Sequence, residues 1–262
     1  MKRRLSVALI VAAASLPFAV VNMPAARAAD TPCDELHGAG LNNSIPGGLE
    51  VPPYGVCHVN GWAIGGNVKV DQGAKLFTRN GTSIGGSITA TSPQQLNIED
   101  STSIDGSVYV TGPGGGFGGF ACGSTIGGGV TLQNLTSGSW IIGQPTSPPP
   151  DGYVYNGGGS SDPDLTCESP NAIEGAVTFN NNKVARLKLA ANSIDNAVSI
   201  TNNSVFNESI NVEDNTIFRS LACSGNTFQK NAPPAQFGNP VLSNQGLPNT
   251  VGGTESGQCA GL

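Results

Sequence analysis

Glu174 and Asp195 each directly follow an isoleucine, in the matching phrases Ile173-Glu-Gly-Ala-Val177 and Ile194-Asp-Asn-Ala-Val198. If the two phrases stack on adjacent turns of a coil, their carboxyls come within about 5 Å, the separation of acid and nucleophile in a retaining glycosidase. The competing expectation is an exposed pair. The same position in related phrases holds Gly65, Gly85, Asp105, Gly127 and Phe218, which build no cleft.

A second group of acids, Asp151, Asp162, Asp164 and Glu168, lies in a stretch with Tyr153, Tyr155 and a Gly-Gly-Gly run. Hard cations such as Ca²⁺ need several oxygen ligands. The spacing here fits no recognised calcium loop, so a solvated loop is the expectation and these residues stand as a reserve metal site. His37 and His58 are the only histidines. A metal held by both would need Asp34 or Glu35 as a third ligand. No nucleophile elbow, phosphate loop or zinc-protease motif occurs. Neither a resident cofactor nor a resident metal is expected.

The elements that must position these residues come from a repeat. Ile64-Gly-Gly-Asn-Val68-Lys-Val70 recurs with the same apolar positions from Ile84, Ile104, Ile126, Ile173, Ile194 and Ile217. The spacing is 20 to 23 residues, with one gap of 47 where the chain carries an insertion. A weaker apolar pair lies between the phrases: Ala74 and Leu76, Leu96 and Ile98, Leu187 and Leu189, Ile210 and Val212. Alternating apolar and polar residues mark a strand with one buried face. A unit this short cannot bury that face alone, but stacked units can. The fold class expected is therefore all-β: a single-stranded right-handed parallel β-helix of about seven turns, ~4.8 Å apart. Asn182, Asn192, Asn203, Asn215 and Asn226 recur before strand-like phrases. Asn tolerates the left-handed conformation and can stack in hydrogen-bonded ladders, and one residue type is expected to do both.

The phrases, the Asn turns and the late Cys223-Ser-Gly-Asn226 with Gly257-Gln-Cys259 resemble the secreted β-helix repeat proteins of actinobacteria, over about residues 56 to 262. That resemblance implies architecture and export, and no particular activity. The Ile-x-Gly-x-Val phrases are also similar to those of bactofilins, which implies a polymerising scaffold.

Composition agrees with a coil. Of 262 residues, 37 are Gly and 18 Pro; 11% are charged and 38% hydrophobic. Such a chain is neither charge-solvated disorder nor a long-helix protein. Residues 1–28 read as an export signal: Lys2, Arg3 and Arg4, an apolar stretch from Leu5 to Val21, then Ala26-Arg27-Ala28. Its removal would leave 8 basic residues against 18 acidic ones. A chain so acidic repels phosphate backbones, so nucleic acid is excluded as a partner. No stable membrane anchor is expected. The expected location is extracellular, and the expected partner is a polysaccharide or protein of the envelope or matrix.

Residues 29–58 and 229–262 are expected to cap the ends of a coil spanning 59–228, with an insertion at 143–170. An even count of six cysteines in an exported chain favours disulfides. Cys33 is expected to pair with Cys57 and Cys223 with Cys259, sealing the ends, and Cys122 with Cys167, closing the base of the insertion. Trp62, Trp140 and Phe120 are expected to pack and not to form a sugar-stacking platform. The leading expectation is a non-catalytic structural or surface-interaction solenoid. Its rivals are a carbohydrate-active β-helix enzyme using Glu174 and Asp195, and a polymerising scaffold.

Overall fold

A computed structural model describes residues 30–33, 44–99, 101–113, 118–143, 169–206, 210–228, 242–243 and 248–262. The export signal, His37, Asp34, Glu35 and the four acids Asp151, Asp162, Asp164 and Glu168 lie outside the described residues.

Each turn carries three short strands joined by tight corners. One turn runs Lys75–Arg79, Ser83–Ile84 and Ile88–Thr91; the next runs Gln95–Ile98, Ser103–Ile104 and Val108–Thr111. Every strand pairs in parallel with its equivalent one turn away. Among the described residues this builds ladders of eight, nine and ten strands, and a fourth of three strands along the last turns. The result is a parallel β-solenoid of about seven turns, as the repeat predicts.

The inward columns follow the repeat phrase. Ile64, Ile84, Ile104, Ile126, Ile173, Ile194 and Ile217 stack in direct register, each at most 2% exposed. Val70, Ala90, Val110, Leu132, Phe179, Ile200 and Cys223 form a second column, equally buried. Full burial of one Val, Leu or Ile contributes about 1.5–3 kcal/mol, so stacked columns of them are what hold the coil closed.

The ladders run on into both terminal segments. Ser44–Ile45 pairs with Ala63–Ile64, and Leu49–Val51 with Val68–Val70. Beyond residue 228, Thr250–Val251 and Glu255–Gly257 add a further rung. The coil therefore reaches past 59–228 at each end.

The weaker apolar pair also differs in detail. Its inward positions in the second turn are Leu76 and Thr78, with Ala74 just ahead of the strand. Thr78 is fully buried and its hydroxyl meets that of Thr102 at 3.2 Å. In the fourth turn the inward position is Gly119, between Leu96 and Trp140. The Trp140 indole is 2% exposed, with Nε1 donating to the Ser137 carbonyl at 3.2 Å. A Cβ on Gly119 would lie 2.2 Å from the Leu96 carbonyl oxygen and 3.0 Å from the indole Cζ3. Gly119→Ala is expected to cost about 1–3 kcal/mol by overpacking, read as a lowered thermal midpoint; an unchanged midpoint contradicts this packing.

The asparagines divide into two kinds. Asn182, Asn192, Asn203, Asn215 and Asn226 are buried and stack. None of them is left-handed; that conformation belongs to the residue before each one, Asn181, Ala191, Asn202, Asp214 and Gly225. Asn does serve both jobs, but at different positions: Asn181 and Asn202 turn the corner and the five named residues stack. An αL corner swings the next side chain inward, where its amide meets the turns on either side. The stack is two ladders, not one. Asn171, Asn192, Asn215 and Asn249 link by Nδ2–Oδ1 bonds of 2.9, 2.8 and 2.8 Å. Asn182, Asn203 and Asn226 link at 2.8 and 3.0 Å, ending on Gln258 Oε1 at 3.1 Å.

Candidate functional site

Glu174 and Asp195 do fall in one column on adjacent turns, because Ile173 sits opposite Ile194. They stand at the corner that leads into the ten-stranded face, and both are exposed. Their column continues to Gly127 below and to Phe218, 60% exposed, above. A carboxyl that works as a general acid near neutral pH needs a desolvating wall or a close like charge in a dry site. This corner is open to water. The register brings the pair together as expected, without a cleft around it.

His58 is exposed on the eight-stranded face and stacks on Phe77, ring centroids 4.6 Å apart and planes 6° apart. Partial burial, and then the nearby Arg79 guanidinium, lower its pKa from the ordinary histidine value. Among the described residues no group of three His, Cys, Asp or Glu side chains is placed to hold a metal ion.

Five cysteines are described and each is disulfide-bonded. Cys33 joins Cys57, and Cys223 joins Cys259, one pair near each end of the coil. Cys122 is also bonded; its expected partner Cys167 lies outside the described residues. Among those residues no helix is long and apolar enough to cross a membrane. Trp62 and Trp140 are buried packing residues, and Phe120 is half-buried on the outward side, opposite Ile141 of the neighbouring strand.

Lys188 is an outward residue that is not solvated. Its side chain points away from Leu187 and Leu189, as alternation requires, yet it is buried and paired with buried Glu213. On the same eight-stranded face, outward Asn97, Ile141 and Asn211 are buried too.

The ten-stranded face is the opposite case. Its outward columns run Thr89, Tyr109, Thr131, Thr178, Ser199 and Ala222, and Thr91, Thr111, Gln133, Asn180, Thr201 and Ser224. None of these residues is buried and none carries a formal charge. Neighbouring rungs are tied on the surface, with Asn180 Nδ2 donating to Thr201 Oγ1 at 2.8 Å. Charge returns at the ends of the sheet: at the first turns the exposed Lys69 bridges Glu50 at 2.7 Å and Asp71 at 3.1 Å, and the last strand begins at Glu255. The alternating Thr and Ser of the repeat phrases were the visible signal for this face; nothing in their spacing distinguishes ordinary solvation from binding.

No family model, characterised protein or solved structure matches this chain. What the molecule can do must come from its own surface. It offers an open carboxylate corner, an aromatic stack beside basic residues, and a long uncharged face of hydroxyls and amides.

Proposed function

We propose that the chain is an exported, non-catalytic solenoid that works by presenting a side of its coil to another surface in the envelope or extracellular matrix. The observation that carries this reading is the contrast between two neighbouring sites. The stacked acids Glu174 and Asp195 are solvated at a corner, whereas the adjoining face keeps six successive rungs open, uncharged and in register. Disulfides near both ends suit an oxidising compartment, and the basic-apolar start with Ala26-Arg27-Ala28 supports export. The similarity of the repeat phrases to secreted actinobacterial β-helix proteins points the same way. Each disulfide ties a terminal segment across an end of the coil, which disfavours end-to-end stacking into filaments.

Recovered from the culture fluid of its native host, the protein is expected to begin after Ala28. A panel of neutral and acidic glycans should show no turnover. Glu174→Gln and Asp195→Asn should each leave stability within about 0.5 kcal/mol of the parent, as surface substitutions generally do. Glycan cleavage that either substitution abolishes would replace this reading with the enzyme. Full-length material retained in the cytoplasm would remove export.

A further inference from the structure

We propose that the open ten-stranded face, centred on Thr131 and Thr178, binds an uncharged, extended polysaccharide lying along the coil axis. This rests on the surface-interaction reading and names the surface and the class of ligand.

Charge comes first. The face carries no formal charge from Thr89 to Ser224. Its flanking corner carries Asp105, Glu174 and Asp195 against a single cation, Arg219, a net negative field that would repel an acidic polymer laid beside it. A neutral polymer meets no such field. The hydroxyl and amide groups can donate to or accept from sugar hydroxyls with little desolvation of charge.

Repetition comes second. Rungs recur every ~4.8 Å, and outward columns on a strand stand roughly 6.6 Å apart. A chain of identical sugars can make the same contact on rung after rung, so weak contacts add along one axis. Six rungs give a strip ~24 Å long and roughly 12 Å wide. That is about 300 Å², well short of the ~800 Å² that each partner of a stable protein complex buries. The strip is too small for a folded protein partner and well shaped for a thread.

Tyr109 comes third. It is 45% exposed and interrupts a column of threonines and serines. It is the one aromatic ring in these two columns. It gives a sugar ring in a flexible chain an apolar surface to stack on.

The test is co-sedimentation of the full exported chain with insoluble chitin, cellulose and β-1,3-glucan, with soluble alginate as the acidic competitor. The parent is expected to sediment with at least one neutral polymer and to ignore alginate. Thr178→Glu, which places a charge mid-strip, should cut the retained fraction at least tenfold. Tyr109→Ala should cut it several-fold. Glu174→Gln, off the strip, should bind as the parent does. Tyr109 and Glu174 are exposed and Thr178 is half-buried, outside the core, and matching circular-dichroism melts will show that the variants fold.

No retention on any neutral polymer overturns the proposal. Retention indifferent to Thr178→Glu and Tyr109→Ala overturns this surface while sparing the surface-interaction reading. Partition into growing ice that Thr178→Glu abolishes, without polymer binding, would assign the face to ordered water and also overturn it. Cleavage of the polymer would instead sink the non-catalytic reading.

Discussion

A variant carrying Cys223→Ala and Cys259→Ala is expected to lose about 4 kcal/mol of stability, the chain-entropy value for a loop of this size. The bridge spans 36 residues. Small domains hold only about 5–15 kcal/mol in total, so the loss should be visible as a large drop in urea midpoint. Position sharpens the expectation. Cys223 closes the inward column above Ile200, and the last strand, Glu255–Gly257, is the end strand of its ladder. In a solenoid each rung is held chiefly by its neighbours, so the end rung opens first once its staple is removed. Hydrogen exchange should therefore accelerate at Thr250–Val251 and Glu255–Gly257 before the central turns change. The Cys33–Cys57 pair spans 24 residues and should cost about 3.5 kcal/mol by the same relation. A loss below 1 kcal/mol for the first variant, with uniform exchange, would mean that the end is held by other contacts. Those would be the amides of Asn249 and Gln258, which bond to Asn215 and Asn226.

The interior of the coil was legible because its signal repeats. Ile64 through Ile217 show one spacing, and a stacked column turns spacing directly into register. Ile45-Pro-Gly-Gly-Leu49-Glu-Val51 obeys the same phrase, with Leu49 where the Ile217 phrase has Leu221, and forms the rung below Ile64. The last rung is different. Val251-Gly-Gly-Thr-Glu255-Ser-Gly257 keeps only the corner, because an end strand need not bury its own column and the apolar period is lost.

Other features need the fold before they can be read. Two asparagine ladders, each with a period of one full turn, interleave in the sequence as a single run spaced by half a turn. Nothing local says which corner each residue serves. Gly119 and Trp140 exchange volume between adjacent rungs, which breaks the apolar pair at both positions. The column shared by Glu174 and Asp195 followed from spacing, but its exposure depends on how far Gly127 and Phe218 fill the corner. Alternation along the strand turns Lys188 outward, but its burial with Glu213 depends on what surrounds that side of the strand, which alternation does not encode.

The asparagine ladder makes the most severe single prediction. Asn192 is 2% exposed. Its Nδ2 faces three acceptors: Asn215 Oδ1 at 2.8 Å and the Ile142 and Ala190 carbonyl oxygens, each at 3.0 Å. Its Oδ1 accepts from Asn171 Nδ2 at 2.9 Å. Asn192→Ala removes those bonds and leaves buried carbonyls short of a donor, a loss of about 2–3 kcal/mol. Asn192→Asp should be worse although it preserves shape, because an anionic oxygen would then point at three acceptors in a buried site. A cost above about 4 kcal/mol is expected at neutral pH, a large share of the stability of a domain this size. The pH dependence follows with a definite sign. Burial among acceptors raises the folded-state pKa of the new carboxyl above its unfolded value of about 3.9. The penalty is therefore fully present above that raised folded-state pKa, and it shrinks as pH falls toward about 4 and the carboxyl takes a proton it can donate to Asn215 Oδ1. Relative to the parent, the variant should regain stability between about pH 7 and pH 4. Asn192→Ala should show no such recovery. Urea unfolding of parent and both variants at the two pH values measures this, and an Asp variant no weaker than Ala, or equally weak at both pH values, would mean that the amide ladder does not hold these turns together.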